Sequence, residues 1–211
     1  SDKLMPTFFL VMALVSIVTT VGIILVLVID ASKFFRAVPL SEVFSTNLAP
    51  LSANPSFGIL PLITGTIMTT IIAMLVAVPI GLAAAIYLSQ FASAKIRKVA
   101  KPILEVLAGI PTIVYGFFAY SFVTPLLMNI IPGLEAKNAL SPGIVMGIMI
   151  IPMIASLSED AMNSVPEIMR EGALGLGSTK LEVTFKVVIP AAISGIIASI
   201  VLGISRAIGE T

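Results

Sequence analysis

The 211-residue chain is 58% hydrophobic and only 11% charged, with a mean hydropathy of +1.13, whereas soluble domains carry about 25% charged residues. This composition excludes water as the main solvent, and a net charge of +1 without a basic tract excludes a nucleic-acid partner. The chain has no histidine and no cysteine, so we expect neither a metal site nor an enzyme active site.

Five apolar segments are long enough to cross a bilayer as helices, which needs ~20 residues each. We place them at about 7–29, 59–89, 103–131, 143–163, and from Pro190 to the end of the chain. Prolines in the second and third segments predict tilt, kinks or helix ends there. The sequence therefore predicts an all-α membrane protein, a polytopic transmembrane helical bundle. Because the last segment lacks a polar end, we expect a C-terminal truncation and a missing sixth span.

Two segments are rich in turn-forming residues. Segment 30–57 lies between the first and second spans, and segment 132–142 lies between the third and fourth spans. The first is long enough for a short surface helix, and either could face an external partner or serve as a plain loop. We divide the chain into 1–57, an N-terminal transmembrane helix plus an extracytoplasmic segment, and 58–211, a transmembrane core.

Basic residues set the orientation, because short cytoplasmic loops carry an excess of lysine and arginine. With the amino end inside, the cytoplasmic side receives eight basic residues and the outside receives three. The eight are Lys3, Lys95, Arg97, Lys98, Lys101, Arg170, Lys180 and Lys186, and the three are Lys33, Arg36 and Lys137. We therefore expect a multi-pass protein of the cell inner membrane with a cytoplasmic N-terminus.

The 166–190 loop is the most polar stretch of the second half and has a helical pattern. Ser164 followed by Glu167 predicts a capping box, and Gly177 predicts a left-handed helix stop. Thr179 with Glu182 repeats the capping signature and predicts a second helix. A short helix with an apolar face at the membrane surface could insert into a partner's groove.

The spacing of this loop resembles the EAA loop of ABC importer permeases, written EAA, three residues, G, nine residues, I-x-L-P. Here it is Glu171-Gly172-Ala173, then Gly177, then Val187-Val188-Ile189-Pro190. The resemblance implies that this coupling loop docks on an ATP-hydrolysing subunit, and the residues concerned are Arg170, Glu171, Gly172, Ala173, Gly177 and Pro190. An alternative is a simple amphipathic hairpin at the membrane surface. No Gly-Lys-Ser/Thr motif occurs, so we expect no cofactor in this chain and ATP bound by a partner.

Arg206 lies 16 residues beyond Pro190, inside the apolar zone, and Glu210 follows on the same helical face. A charge at that depth is costly unless it is paired, and a guanidinium offers a planar fork of donors that suits a tetrahedral oxyanion. A carboxylate could accept the proton of hydrogen phosphate. We expect both residues to line a substrate path, and the alternative is an ion pair that only orients helices.

The stretch Ser205-Arg206-Ala207-Ile208-Gly209-Glu210-Thr211 resembles the S-R-A-x-G-E-T sequence of phosphate importer permeases. Further matches at 110–116, 151–156 and 165–166 extend the resemblance over about 58–211, and the run 154–160 is similar to the PstC-type subunit. The resemblance implies a PstA-type second permease, a dimer of ATP-binding cassette subunits, an extracytoplasmic phosphate-binding protein and surrounding lipid. Two alternatives stay open: a permease for another oxyanion or small solute, and a channel or scaffold that needs no ATPase.

Overall fold

The computed structural model describes residues 4–211, so Lys3 lies outside the described residues. The chain divides into two compact units, Ser1–Ile63 and Thr64–Thr211. Five helical segments among the described residues are long and apolar enough to cross a membrane: Met5–Ala37, Leu60–Phe91, Thr112–Ile130, Leu140–Asn163 and Lys180–Glu210. The predicted all-helical polytopic architecture is confirmed.

The first unit contains one long helix, α1 (Leu4–Ala37), followed by a turn-rich segment. The helix is longer than the predicted 7–29 because nothing interrupts it before Pro39, and the polar end is stabilised by an ion pair between Lys33 and Asp30 at 2.9 Å. After it come a single helical turn, α2 (Leu40–Val43), and a two-stranded antiparallel pair, β1 (Leu48–Ala49) and β2 (Ser56–Phe57). The short surface helix expected in 30–57 is therefore a single turn.

The second unit is built from helices joined by three π-helical turns, with α3 beginning just before it. The helices are α3 (Leu60–Ile86), α4 (Ala94–Ala108), α5 (Thr112–Phe118), α6 (Thr124–Ile130), α7 (Leu140–Asn163), α8 (Glu167–Gly175), α9 (Lys180–Val183) and α10 (Ile189–Glu210). The π turns are π1 (Tyr87–Phe91), π2 (Ala119–Val123) and π3 (Thr184–Val188). Such turns occur often at functional sites.

The third span begins at Thr112, not at 103 as predicted. Residues 94–108 form the separate amphipathic helix α4, with Gly109 as its C-cap, and Pro111 is the N-cap of α5. A proline lacks the N–H that would continue the helix and restricts the residue before it, so one apolar run is split into two helices. The expectation that proline would place a helix end inside an apolar run is confirmed at this position.

Helix α7 is the most deeply buried of the five spans and packs against α3 and α10. Glycines permit the close approach: a Cβ at Gly147 would lie 2.7 Å from the carbonyl oxygen of Ala73, and one at Gly203 would lie 3.2 Å from Ile154. Small residues at helix contacts are typical of membrane bundles, where dispersion between closely packed backbones stabilises association. The buried core contains Ala73, Ala77, Met149, Ile150, Ile154 and Ala207.

Candidate functional site

The 166–190 loop contains the nine-residue helix α8, whose C-terminal end is stopped by Gly177. Gly177 has φ of +88°, its N–H donates to the carbonyl of Leu174 at 2.9 Å, and the N–H of Ser178 donates to that of Ala173 at 3.2 Å. These two bonds form a Schellman motif, which needs a residue in the left-handed conformation that glycine adopts without a Cβ penalty. The predicted helix stop is confirmed.

One of the two predicted capping boxes in this region is present. Thr179 accepts from the N–H of Glu182, and the Glu182 carboxylate accepts from the N–H of Thr179 at 3.0 Å, which starts α9. The box predicted at Ser164 and Glu167 is wrong, because α8 begins only after Pro166 and the Ser164 hydroxyl donates to the carbonyl of Ala161 instead. Pro166, with extended backbone, sets the direction of α8 without a side-chain cap.

Helix α8 contacts the end of α7 through one face and exposes apolar side chains on the other face. Arg170 is half-buried and its guanidinium donates to the carbonyl of Met162, while Ala173 packs against the buried cluster that includes Met162 and Val165. On the outer face Ile168 is 78% exposed and Leu176 is 90% exposed. Glu171, Gly172 and Gly177 are also exposed. The helix therefore offers a surface of apolar and acidic groups.

Pro190 lies at the second residue of α10, within a helical run that begins at Lys180. The last span therefore opens ten residues earlier than predicted. The turn π3 absorbs the break that a proline would cause, since a widened turn leaves room for the ring. The second half of the 166–190 loop, from Lys180 onward, is therefore the first part of the last span.

Arg206 and Glu210 lie on one face of α10, inside the last span, with Nε and Oε1 3.9 Å apart. This distance is too long for a hydrogen bond, and the two side chains are 29% and 28% exposed. Within residues 4–211 the Arg206 guanidinium donates no hydrogen bond, and its 3.9 Å ion pair with Glu210 is its polar contact. The donors of its two terminal NH2 groups are therefore available to a ligand.

The structure places these two side chains at different cavities. Arg206 lines a cavity of about 230 Å³ together with Glu105 of α4 and Ser156 of α7. Glu210 lines a second cavity of about 270 Å³ formed mainly by α5 and α7, with Thr112 and Tyr115 on its wall. Each cavity therefore combines an ionisable group from α10 with polar groups from neighbouring helices.

Sequence reasoning did not include Glu159 in the candidate site, because its position near the inner end of the fourth span, beside Asp160, is typical of a solvated helix-end charge. Glu159 is only 1% exposed. Its Oε1 lies 3.6 Å from Arg97 Nε and accepts from Asn163 at 3.1 Å, and its Oε2 lies 3.5 Å from Lys101 Nζ. Glu159 follows the buried Ala155 by four residues and so lies on the buried face of α7, which the sequence alone does not identify.

Lys101 bonds across to α7 and not along its own helix. Its Nζ donates to Asp160 at 2.7 Å, although the i, i+4 spacing within α4 favours a pair with Glu105. The hydrogen bond to Asp160, aided by the charges of Glu159 and Asp160, raises the pKa of Lys101 above its ordinary value against the opposing effect of burial. The ammonium is therefore charged throughout the physiological pH range.

In the described part of the chain, no three or more Asp or Glu side chains lie together where they could hold a metal ion. The chemistry of the polar sites is that of charge pairing and hydrogen bonding by arginine, lysine and carboxylates.

Residues 77–211 match the family of the binding-protein-dependent transport system inner membrane component. The chain belongs to this family. It is a multi-pass inner-membrane protein and a homologue of ABC transporter permeases.

Three curated relatives agree with this placement. The chain is 36% identical to the probable ABC transporter permease protein YqgH of Bacillus subtilis, over 94% of this chain and 65% of that protein. It is 37% identical to the phosphate transport system permease protein PstC of Mesorhizobium japonicum, over 76% and 56%, and 33% identical to PstC of Haemophilus influenzae, over 94% and 69%. The chain thus spans about 55 to 65% of the first relatives it matches.

The MetNI methionine ABC transporter in an inward-facing conformation matches the fold with a TM-score of 0.57 at 18% identity, covering 72% of this chain and 68% of that one. This likeness concerns the arrangement of helices alone.

Proposed function

We propose that this chain is the transmembrane permease subunit of an ATP-driven phosphate importer, in which it forms part of the translocation path and couples that path to a separate ATPase. The relatives named phosphate transport system permease protein support phosphate as the cargo. In this proposal residues 58–211 form the importer core, and 1–57 add a further transmembrane helix and an extracytoplasmic segment.

The observation that carries the proposal is the incompletely paired guanidinium of Arg206 inside a membrane span. Its guanidinium lies within a span, lines a cavity with Glu105 and Ser156, and is held only by a 3.9 Å ion pair. A structural ion pair would be expected to close to hydrogen-bonding distance, because an unpaired charge in the membrane is costly. A planar fork of free donors suits the oxygens of phosphate.

The proposed partners are those that the 166–190 loop and the translocation path would need. The exposed Ile168 and Leu176 would insert into a groove of an ATP-binding cassette subunit, present as a dimer, which would hold the ATP. A PstA-type permease would complete the path, and an extracytoplasmic phosphate-binding protein would deliver the ligand. The chain itself would then bind no cofactor and catalyse no reaction.

The orientation in this proposal places the amino end and the 166–190 loop in the cytoplasm. The ends of α3 and α7 lie on the same side of the bundle, since Ser89 donates to Asn163 at 2.8 Å. The basic residues of α4 follow directly on π1, and they favour the cytoplasmic side.

A permease for another oxyanion or small solute is the second candidate, because the Bacillus subtilis relative is named as a permease without a substrate. Both candidate functions require the ATPase, and they differ only in the solute that binds at the cavity lined by Arg206. A channel or scaffold without an ATPase has no use for the exposed apolar face of α8.

The test is purification followed by reconstitution. We expect the chain to co-purify with an ATPase subunit, and we expect the reconstituted complex to accumulate phosphate in an ATP-dependent manner when its binding protein is supplied. Sulfate and molybdate at matched concentration serve as competing oxyanions. Uptake of one of these in preference to phosphate would favour the second candidate, and recovery without an ATPase would refute both.

A further inference from the structure

Glu159 is a buried carboxylate at the end of α7 that lies between three helices. It is 1% exposed, and Arg97 and Lys101 of α4 approach its two oxygens to 3.6 and 3.5 Å. In the described part of the chain its Oε2 has no hydrogen-bond partner, so charge attraction to Lys101 is the main interaction of that oxygen. A buried carboxylate at such a position is costly unless nearby cations compensate it.

Arg97 connects this carboxylate to the end of α3. Its guanidinium donates three hydrogen bonds to the carbonyls of Leu88 and Ser89 in π1, at 2.7 to 3.0 Å. Those carbonyls lie at the C-terminal end of a helix, where an arginine is a favourable partner. A second link runs from Ser89 to Asn163, which in turn donates to Glu159. The carboxylate therefore bridges α4, π1 and α7.

The same end of α7 carries α8. Arg170 donates to the carbonyl of Met162, only three residues after Glu159, and Ala173 packs on the cluster formed by Met162 and Val165. A displacement of α8 would therefore be passed to the last turn of α7, and from there through Glu159 to α4 and α3.

We propose that Glu159 is a positioning residue that makes α4, π1 and the end of α7 move as one body with the 166–190 loop. This inference rests on the proposed function, in which an ATPase displaces that loop. The charge is essential to the role, because the contacts to Arg97 and Lys101 lie beyond hydrogen-bonding distance and depend on attraction. Glu159 transmits the displacement to the spans and does not contact the cargo.

The first test measures the link directly, without any cargo. Spin labels on Lys98→Cys of α4 and Ser164→Cys at the end of α7 are both at exposed positions of a chain that has no native cysteine. In the purified complex we expect one narrow distance distribution, unchanged between the nucleotide-free and the ATP-vanadate states. Adding Glu159→Gln should broaden it. A distance that changes between the two states without this substitution would overturn the proposal.

The second test measures coupling. Glu159→Gln should lower the stimulation of ATP hydrolysis by phosphate-loaded binding protein at least tenfold while basal hydrolysis and complex yield stay within twofold. The matched control is Asp160→Asn, which removes the shorter but exposed contact of Lys101 and should stay within twofold of the parent. Lys101→Gln, which weakens the same link from the α4 side, should lower stimulation in the same direction as Glu159→Gln.

Normal stimulation in Glu159→Gln would contradict the proposal. So would a loss confined to yield and thermal stability with an unchanged stimulated-to-basal ratio, because that pattern indicates a packing role alone. If the parent complex is not stimulated by phosphate, the proposed cargo fails, while the spin-label distances still decide the role of Glu159.

Discussion

At the scale of single residues, the backbone of Gly177 is the feature of the 166–190 loop that a substitution can test most cleanly. Both Gly177 and Gly172 have open space where a Cβ would lie, but only Gly177 has a positive φ. The two positions therefore separate backbone strain from side-chain bulk.

We predict that Gly177→Ala destabilises the end of α8 by roughly 1–2 kcal/mol, because an L-residue is strained in the left-handed region. Gly172→Ala, the matched control, should stabilise α8 by up to about 1 kcal/mol. Amide hydrogen exchange across 167–178 measures both effects, and cargo-stimulated ATP hydrolysis reports their consequence. Faster exchange in the Gly172 variant than in the Gly177 variant would contradict this account.

At the residue scale, contacts between helices could not be predicted from the sequence. Glu159 and the partner of Lys101 depend on which helices face each other, and a single sequence does not contain that information. Ser164 has the spacing of a capping box, but Pro166 fixes the backbone and removes the geometry that the box needs. Gly177 was predictable because a left-handed stop depends on local chemistry alone.

At the scale of helices, the second unit depends on close packing between α3 and α7. We predict that Gly147→Val lowers the thermal stability of the purified protein, because its Cβ would meet the Ala73 carbonyl and the Val76 side chain at 2.7 to 2.8 Å. Overpacking of this kind typically costs about 1–3 kcal/mol. The control is Gly65→Val on α3, where no atom lies within 4 Å. Equal melting temperatures for the two variants would contradict the predicted cost of overpacking at Gly147.

The helices themselves were predictable to the extent that apolar length decides them. The five spans follow from uncharged runs longer than a bilayer requires. Their ends were less predictable: Pro111 splits one run into α4 and α5, whereas Pro190 fails to split another because π3 accommodates it. Hydropathy alone does not distinguish these two outcomes, since they depend on hydrogen bonds released and regained along the backbone.

At the scale of the whole molecule, orientation in the membrane is open to a direct measurement. Single cysteines at Ser52 and Lys137 should react with an impermeant thiol reagent in intact cells, whereas one at Lys95 should react only after the membrane is opened. Lys137 is labelled and its neighbour Asn138 is left unchanged, because the Asn138 side chain accepts from the N–H of Ser141 at the start of α7. Reaction at Lys95 in intact cells would refute the orientation.

In the proposed importer, the Arg206 guanidinium binds phosphate directly during transport. Uptake of phosphate by reconstituted complexes carrying Arg206→Lys, measured together with complex yield, tests this claim most directly. Lysine keeps the charge but loses the planar fork of donors. Lys33→Gln, at an exposed ion pair of α1, is the matched control for the loss of a basic side chain. We predict that Arg206→Lys lowers uptake at least tenfold with normal yield and that the control does not; normal uptake by assembled Arg206→Lys and Arg206→Gln complexes would contradict the account.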